Sequence, residues 1–173
     1  MSTLNIEVKA RCSNPSLVRD VLKSHGADFK GLDHQIDTYF LCSTGRLKLR
    51  EGSIEHALIH YQREDRTGPK KAFVHLYHPH PGPELKNLLT AALGVKCIVD
   101  KKREVYFIDN VKFHIDVVKT LGDFVEIEAI DRNGSIDESI LLSQCRKYIH
   151  LFEIAPDDHL PCSYSDLVAS DVY

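Results

Sequence analysis

"HIDVVKTLGDFVEIEA", residues 114–129, places three carboxylates in a stretch that is otherwise typical of buried β-structure. Asp116 follows His114 by two residues, and Glu126 and Glu128 come after a glycine-containing turn. Successive residues of a strand point to opposite faces, so Glu126 and Glu128 share one face. Like charges this close repel, and removing them from water is costly unless something neutralises them. The stretch predicts two strands whose acidic residues have a purpose other than packing.

The same alternation of apolar and charged residues continues along most of the chain, and period-two alternation indicates half-buried strands. Strands are predicted at 4–12, 35–41, 45–51, 55–65, 71–77, 96–108, 111–119 and 123–130. Helices are predicted at 14–26, at about 84–93, and from Ser135 or Asp137 to Phe152. Consecutive strands with tight turns favour an antiparallel sheet or barrel. The order β-α-β-β-β-β-α-β-β-β-α therefore predicts an α+β fold.

The charged residues are sorted by type among these strands. Basic residues are concentrated on the middle strands, and acidic residues on the first strand and the last two. An antiparallel sheet with one dry and one wet face would also show alternation. The sorting, together with three amphipathic helices that can cover an apolar face, favours an eight-stranded antiparallel barrel. We expect its helices to pack outside and its charged face to turn inward.

Such an interior would bind a highly charged anion together with cations. A hard divalent ion such as Mg²⁺ or Mn²⁺ prefers carboxylate oxygens and would neutralise the acidic residues. Arginine and lysine at alternate strand positions could hold phosphate oxygens from several directions. Enzymes that transfer or hydrolyse phosphoryl groups commonly use a metal ion together with cationic residues around the phosphate.

The remaining features of the chain set limits on its class. Its 173 residues favour a single domain over 1–173, with a core at about 4–155 and a tail at 156–173 that has at most one short helix. A formal charge of −3 gives no basis for nucleic-acid binding through overall charge. No apolar run approaches the roughly 20 residues that span a bilayer, and no secretory signal is visible. The five scattered cysteines favour a reducing, cytoplasmic setting.

Four segments together resemble a known family. "NIEVKAR", "GRLKLRE", "KKREVYFIDNV" and "HIDVVKTLGDFVEIE", in this order and spacing, are similar to the CYTH family of triphosphate tunnel enzymes. That family contains class IV adenylyl cyclases, thiamine triphosphatases and inorganic tripolyphosphatases. The resemblance covers about Asn5–Glu153 and is strongest to the class IV cyclase-like branch. It implies an eight-stranded antiparallel tunnel with acidic metal ligands and basic triphosphate ligands inside.

The resemblance also implies roles for individual residues. The metal, Mg²⁺ or Mn²⁺, would be bound by Glu7, Asp116, Glu126 and Glu128. The triphosphate would be bound by Lys9, Lys48, Arg50, Arg63, Lys101 and Arg103, to which we add Arg11 on the same face of the first strand. Lys9 and Glu7 are the candidate catalytic residues. Lys9 would orient or deprotonate the attacking water, and an ordinary salt bridge is the alternative.

Three further residues have open roles. Asn5 stands where the family has the first glutamate of its N-terminal motif, a loss that would weaken a second metal site or alter metal preference. His114 is either a ligand or proton shuttle, or a structural hydrogen-bonding residue. Glu64 would join the metal ligands only if its side chain turned inward, although its position in the alternation opposes that of Arg63.

The same residues serve two reactions. In a triphosphatase, water attacks the terminal phosphorus of tripolyphosphate, thiamine triphosphate or a nucleoside triphosphate. In a class IV-type adenylyl cyclase, the ribose 3′-hydroxyl of ATP attacks the α-phosphorus and diphosphate leaves. We favour the triphosphatase because it needs no adenine pocket; a non-catalytic nucleotide or polyphosphate binder is the third hypothesis. We expect a small-molecule triphosphate as partner, no nucleic acid or membrane, and a monomer or homodimer.

Overall fold

The computed structural model describes residues 3–170 and, among them, the side chains of residues 4–168. Its strands are β1 (Thr3–Arg11), β2 (Asp28–Phe40), β3 (Arg46–Glu51), β4 (Ala57–Arg63), β5 (Lys70–Tyr77), β6 (Val95–Ile108), β7 (Val111–Val118) and β8 (Gly122–Asp131). Its helices are α1 (Pro15–Ser24), α2 (Pro83–Leu93), α3 (Glu138–Leu151) and α4 (Tyr164–Ser170), with a 3-10 turn at Pro156–Asp158. Residues 1, 2 and 171–173 of the predicted domain lie outside the described residues. The single domain stays a prediction.

Every pair of neighbouring strands is antiparallel, and the sheet closes in the order β1-β5-β4-β3-β2-β6-β7-β8. The first strand completes the closure: Glu7 lies opposite Lys70 of β5 on one side and opposite Glu128 of β8 on the other. The predicted eight-stranded antiparallel barrel with helices is confirmed. Closure places side chains of alternate parity on the inside of every strand.

Two helices cover the outer face of β1, β7 and β8. Helix α1 begins as predicted, with Asn14 Oδ1 accepting a hydrogen bond from Leu17 N at 3.1 Å and Pro15 as its first residue. Helix α3 begins after Asp137, which caps Ser139 N at 2.7 Å. Their apolar faces form one core with the outward residues of the strands: Ile6, Val8, Phe113, Ile115, Val125, Ile127, Val18, Leu22, Leu141, Cys145 and Tyr148. Helix α2, by contrast, has no buried residue.

Strand β2 is longer than the predicted 35–41. Its first half lacks alternation because Asp28, Phe29 and Lys30 are exposed on both sides, and Gly31 adopts φ 129° at an irregularity in the pairing with β6. The extension turns Asp33, like Asp37 further along the strand, into the barrel. Acidic residues therefore also stand among the middle strands, contrary to the expected sorting by charge.

Asp33 fixes the loop between β3 and β4. Its carboxylate is fully buried and accepts hydrogen bonds from Ser53 N at 2.8 Å, Ile54 N at 3.1 Å and Glu55 N at 2.9 Å. A Cβ at Gly52 would lie 2.5 Å from Asp33 Oδ2, so only glycine fits there. The carboxylate thereby sets the position of Glu55.

Replacing Asp33 by alanine should lower the free energy of unfolding by about 2–3 kcal/mol, because several buried donors lose a charged acceptor. Urea denaturation measures this loss. Asp28→Ala, on the same strand but with a side chain 60% exposed and paired with Lys30, is the matched control and should change little. Equal effects of the two substitutions would show that the loop does not depend on Asp33.

The C-terminal residues pack across one end of the barrel. His159 bridges to Ala10 of β1, and Leu160 N donates to Lys9 O at 2.9 Å. Tyr164 of α4 packs on Phe124, with ring centres 5.0 Å apart. This end is thus filled by a second apolar cluster, which includes Tyr39, Tyr61, Val99, Val118 and Phe124. Among residues 3–170, no helix has the length and apolar character needed to cross a membrane.

Candidate active site

A cavity of about 700 Å³ occupies the inside of the barrel and opens at the end opposite α4. Its walls carry acidic side chains, which are Glu7, Glu55, Glu126 and Glu128. They also carry the basic side chains of Lys9, Lys48, Arg50, Arg63, Arg103 and Lys112. Both signs of charge therefore meet in one enclosed space, as the alternation of the strands predicts.

Glu126 is surrounded by donors. Its Oε1 pairs with Lys9 Nζ at 2.9 Å, and its Oε2 accepts from Arg103 Nη2 at 3.0 Å and His114 Nδ1 at 3.2 Å. Burial alone would raise the pKa of Glu126, but these neighbours hold it well below its usual value of 4.5. Glu126 is therefore ionised near neutral pH and compensated by its neighbours.

Glu128 differs, because within residues 4–168 it makes no ion pair with a lysine or arginine. Its contact is with His114 Nδ1, 3.8 Å away. Burial, and then repulsion from Glu126, raise the pKa of Glu128 from 4.5 to about 7. Burial and the charge of Arg103 lower the pKa of His114 to about 3, so this imidazole is neutral at pH 7 and does not compensate Glu128.

The donor set around Glu128 fits a divalent cation. One ligand atom from each of His114, Glu126 and Glu128 lies within 4.8 Å of the others. Asn5 stands on the adjoining strand β1, and its Oδ1 is buried with no hydrogen-bond partner among the described residues. A hard cation prefers such carboxylate and amide oxygens and would remove the repulsion between the two glutamates. The structure thus brings together two of the four predicted metal ligands, with His114 as their neighbour.

Glu7 and Asp116, the other two predicted ligands, have different surroundings. Glu7 lies opposite Glu128 in the sheet, and its Oε1 accepts a hydrogen bond from Arg63 Nη1. Asp116 is fully buried behind Arg103, which donates to both of its oxygens at 2.6 Å. We therefore expect Asp116 to orient Arg103 rather than to contact an ion.

The basic residues are held in place by acids. Arg50 donates to both oxygens of Asp37, each at 2.9 Å, and to Glu55 at 2.9 Å. Lys48 Nζ also donates to Asp37, at 3.1 Å. Arg63 is different, because its Nε and Nη2 are buried and have no hydrogen-bond partner in the part of the chain that the structure describes. A buried guanidinium with unused donors on a cavity wall is suited to bind the oxygens of an anion.

Five predicted residues are not on the wall of this cavity: Asp116 and His114, whose contacts are given above, and Lys101, Arg11 and Glu64. Lys101 is buried beneath it and donates to Asp37 at 2.6 Å, so it supports the acid that holds Arg50. Arg11 lies at the end covered by α4 and donates to Leu121 O at 3.5 Å. The side chain of Glu64 is 75% exposed and faces away from the cavity.

Four residues of the site are absent from the sequence-based set. Asp37 and Lys112 stand at inward positions of β2 and β7, and the alternation that identified Asp116 could have found both. Glu55 lies in a loop and contacts Lys112 Nζ. Tyr164 lies in the tail. Glu55 nevertheless begins the predicted strand 55–65 on the face of Arg63, so the alternation could have found it, whereas no periodic pattern marks Tyr164.

The open end of the cavity has a different character. Apolar side chains line it together with two histidines and an arginine, namely Ile54, Leu76, Phe107, Ile130, His56, His78 and Arg132. The cavity volume of about 700 Å³ lies within the range of pockets that hold organic ligands. The mouth can therefore contact an uncharged, planar part of a larger molecule.

Comparisons with known proteins agree with this architecture. The sequence-family model of the CYTH domain matches residues 3–143 of this chain. A conserved hypothetical protein from Pyrococcus furiosus is similar in structure, with a TM-score of 0.78 at 18% identity over 94% of this chain and 99% of that one. A Pyrococcus horikoshii protein has a TM-score of 0.69 at 24% identity, over 94% of this chain and 98% of that one.

A Vibrio parahaemolyticus protein called a "putative adenylate cyclase" gives a TM-score of 0.69 at 16% identity, over 98% of this chain and 99% of that one. At these identities the structural neighbours show the fold alone. No curated protein matches the chain.

Proposed function

The chain belongs to the CYTH family, and we propose that it is a divalent-metal-dependent triphosphatase that hydrolyses the terminal phosphate of inorganic or organic triphosphates. CYTH enzymes act on triphosphates and depend on a metal ion. One observation carries the proposal: the cavity inside the barrel holds both Glu128, which makes no ion pair with a lysine or arginine among residues 4–168, and the unused donors of Arg63. A metal–triphosphate complex would satisfy both.

Glu126, Glu128 and Glu7 would hold the cation, with the amide oxygen of Asn5 beside them. When bound, it supplies positive charge that polarises the phosphoryl oxygens. Mg²⁺ and Mn²⁺ are the ions that this oxygen-rich set favours. Because Asn5 replaces one carboxylate of the family motif, we infer a single tightly held ion.

The basic residues bind and orient the triphosphate. Arg63 offers two free donors, and Arg50 and Lys48 lie on the neighbouring strand β3. Such charge-assisted contacts stabilise the negative charge that develops on the phosphoryl oxygens and the leaving group. Lys9 has three donors, of which one points to Glu126. The others can orient the attacking water, which is the role proposed for Lys9.

A class IV-type adenylyl cyclase is the second candidate, and the apolar mouth favours it. Phe107, Ile130 and Leu76 could contact an adenine there while the triphosphate lies deeper. The third candidate, a non-catalytic binder, would bind tripolyphosphate and form no product. The free state of all five cysteines supports a reducing compartment for any of these functions.

Product identification separates the candidates. A hydrolase needs no base or sugar, so we expect tripolyphosphate with Mg²⁺ or Mn²⁺ to be cleaved at least as fast as ATP, giving orthophosphate and diphosphate. A cyclase must place the 3′-hydroxyl in line with the α-phosphorus. It would convert ATP to cyclic AMP and diphosphate and would form no cyclic product from 3′-deoxy-ATP. Phosphorus NMR of parallel reactions measures each product. Cyclic AMP as the main product, with tripolyphosphate intact, would replace the hydrolase by the cyclase.

A further inference from the structure

The segment from His159 to Val168 is attached to the barrel at several points, although it lies beyond residues 3–143 that the CYTH model matches. Beside the bridge to β1, Asp166 pairs with Arg46 of β3 at 2.9 Å and with Lys96 of β6 at 3.3 Å. Three strands on different sides of the barrel therefore hold the same short segment. Its position relative to the cavity is fixed.

Lys70 adds a buried attachment. Its Nζ donates to the carbonyl oxygens of Arg66, Leu160 and Pro161, each at 3.0 Å, and the residue is fully buried. An ammonium has three hydrogens, and these three acceptors use all of them. A buried charge satisfied by backbone alone has little reason to stand there except to hold the chain segment that supplies the oxygens.

Tyr164 is the residue that this segment places against the cavity. Its hydroxyl donates to Asp116 Oδ2 at 2.7 Å, and Asp116 in turn holds Arg103 through two hydrogen bonds of 2.6 Å. Its ring centre lies 3.9 Å from Lys9 Nζ. One side chain thus contacts the ammonium of Lys9 and the carboxylate that orients Arg103.

We propose that Tyr164 is a positioning residue of the active site, which directs Lys9 through its ring and Arg103 through Asp116. The inference rests on the proposed function. Lys9 has a flexible stem, and the aromatic face below it restricts where the ammonium points. Asp116 has the Tyr164 hydroxyl as a donor that is independent of Arg103, so this hydrogen bond keeps the carboxylate in place while Arg103 binds an anion.

Two substitutions separate the two contacts. Tyr164→Phe keeps the ring and removes the hydroxyl, so Arg103 loses part of its support while Lys9 does not. We expect KM for tripolyphosphate with Mg²⁺ to rise about tenfold, the low end of the cost of removing an orienting partner, with kcat nearly unchanged. Tyr164→Leu also removes the ring. For this variant we expect the same rise in KM and, in addition, a fall in kcat of about tenfold.

Tyr148→Phe is the matched control, because Tyr148 is buried in the outer core of α3, where its ring contacts Phe113 at 4.6 Å. This substitution should change neither KM nor kcat. Because Tyr164→Phe also removes a buried hydrogen bond to Asp116 and so lowers stability, thermal melts set an assay temperature at which both phenylalanine variants are folded. A Tyr164→Phe enzyme with wild-type KM, or a Tyr164→Leu enzyme whose kcat falls only as its folded fraction falls, would refute the positioning role. Absence of wild-type turnover of any triphosphate would overturn the proposed function and, with it, this inference.

Discussion

Glu128→Gln should lower the rate of triphosphate turnover by about a hundredfold or more, without destabilising the protein. Among the carboxylates that line the cavity, Glu128 is the one that makes no ion pair with a lysine or arginine of residues 4–168, so its oxygens are the ones that a metal ion would use. The amide of glutamine keeps the shape and removes the charge. Initial rates with tripolyphosphate and thermal melts in the presence of a chelator measure the two effects. Near-normal turnover would remove Glu128 from the site.

The same substitution should change how stability depends on pH. The pKa of Glu128 is raised from 4.5 to about 7, so the folded protein keeps a proton that the unfolded chain releases. This contribution to stability is fully present below about pH 4.5 and is lost as the pH rises through about 7. Glutamine does not ionise. The variant should therefore melt at or above the wild-type temperature at pH 8, and its relative advantage should shrink at pH 5.

Glu126→Gln provides the contrast on the same strand. Glu126 compensates Lys9 and Arg103, both buried, and its neutralisation leaves them with less opposite charge. We expect this variant to lose activity and also stability at both pH values. Equal stability of the two glutamine variants would contradict the assignment of Glu128 as the uncompensated carboxylate.

Arg63→Gln should weaken tripolyphosphate binding by about 1.5–3 kcal/mol, the value of a charge-assisted hydrogen bond, which is about 10- to 150-fold in Kd. Arg63 has two donors without a hydrogen-bond partner among the described residues, which a bound anion would use. The substitution also removes the ion pair with Glu7, so thermal melts must show that the variant is folded at the temperature of the binding measurement. Calorimetry with tripolyphosphate and Mg²⁺ measures the change. Lys30→Gln, on an exposed part of β2, is the control and should bind as wild type does. Equal losses at both positions would mean that the anion binds through overall charge.

Arg103 is a poorer site for this experiment. It bridges Asp116 and Glu126 and is almost fully buried. Its replacement by alanine would leave Asp116 without a cationic partner and take one of two from Glu126, and removing one partner of a buried ion pair typically destabilises a protein by about 3–5 kcal/mol. A loss of binding in that variant would therefore not distinguish a lost phosphate contact from a disturbed barrel.

Local alternation explains why much of the site was predictable. Glu126 and Glu128, Lys48 and Arg50, and Glu7 and Lys9 share a face whichever strands adjoin, because the period of a strand is two. The contact between Arg103 and Asp116 could also have been predicted from the sequence. Counting back from the two-residue turn after Ile108 pairs them directly, since turn length fixes the register of a hairpin.

The rest depends on contacts between distant parts of the chain. The first half of β2 forms only because β6 pairs with it, and its own sequence has exposed residues on both sides. Asp37 meets Arg50, Lys48 and Lys101 only after three strands are placed side by side. Tyr164 reaches the cavity because the chain returns from α3 across the end of the barrel. No local pattern encodes that return.

The location of a bound triphosphate is the most direct test of the account. Crystals grown with Mn²⁺ and a slowly hydrolysed imido analogue of tripolyphosphate would show both components. We predict manganese anomalous density beside Glu126 and Glu128, with phosphoryl oxygens on Arg63, Arg50 and Lys9 inside the barrel. An analogue bound on the outer surface, or a cavity that binds neither manganese nor the analogue at saturating concentration, would contradict the account.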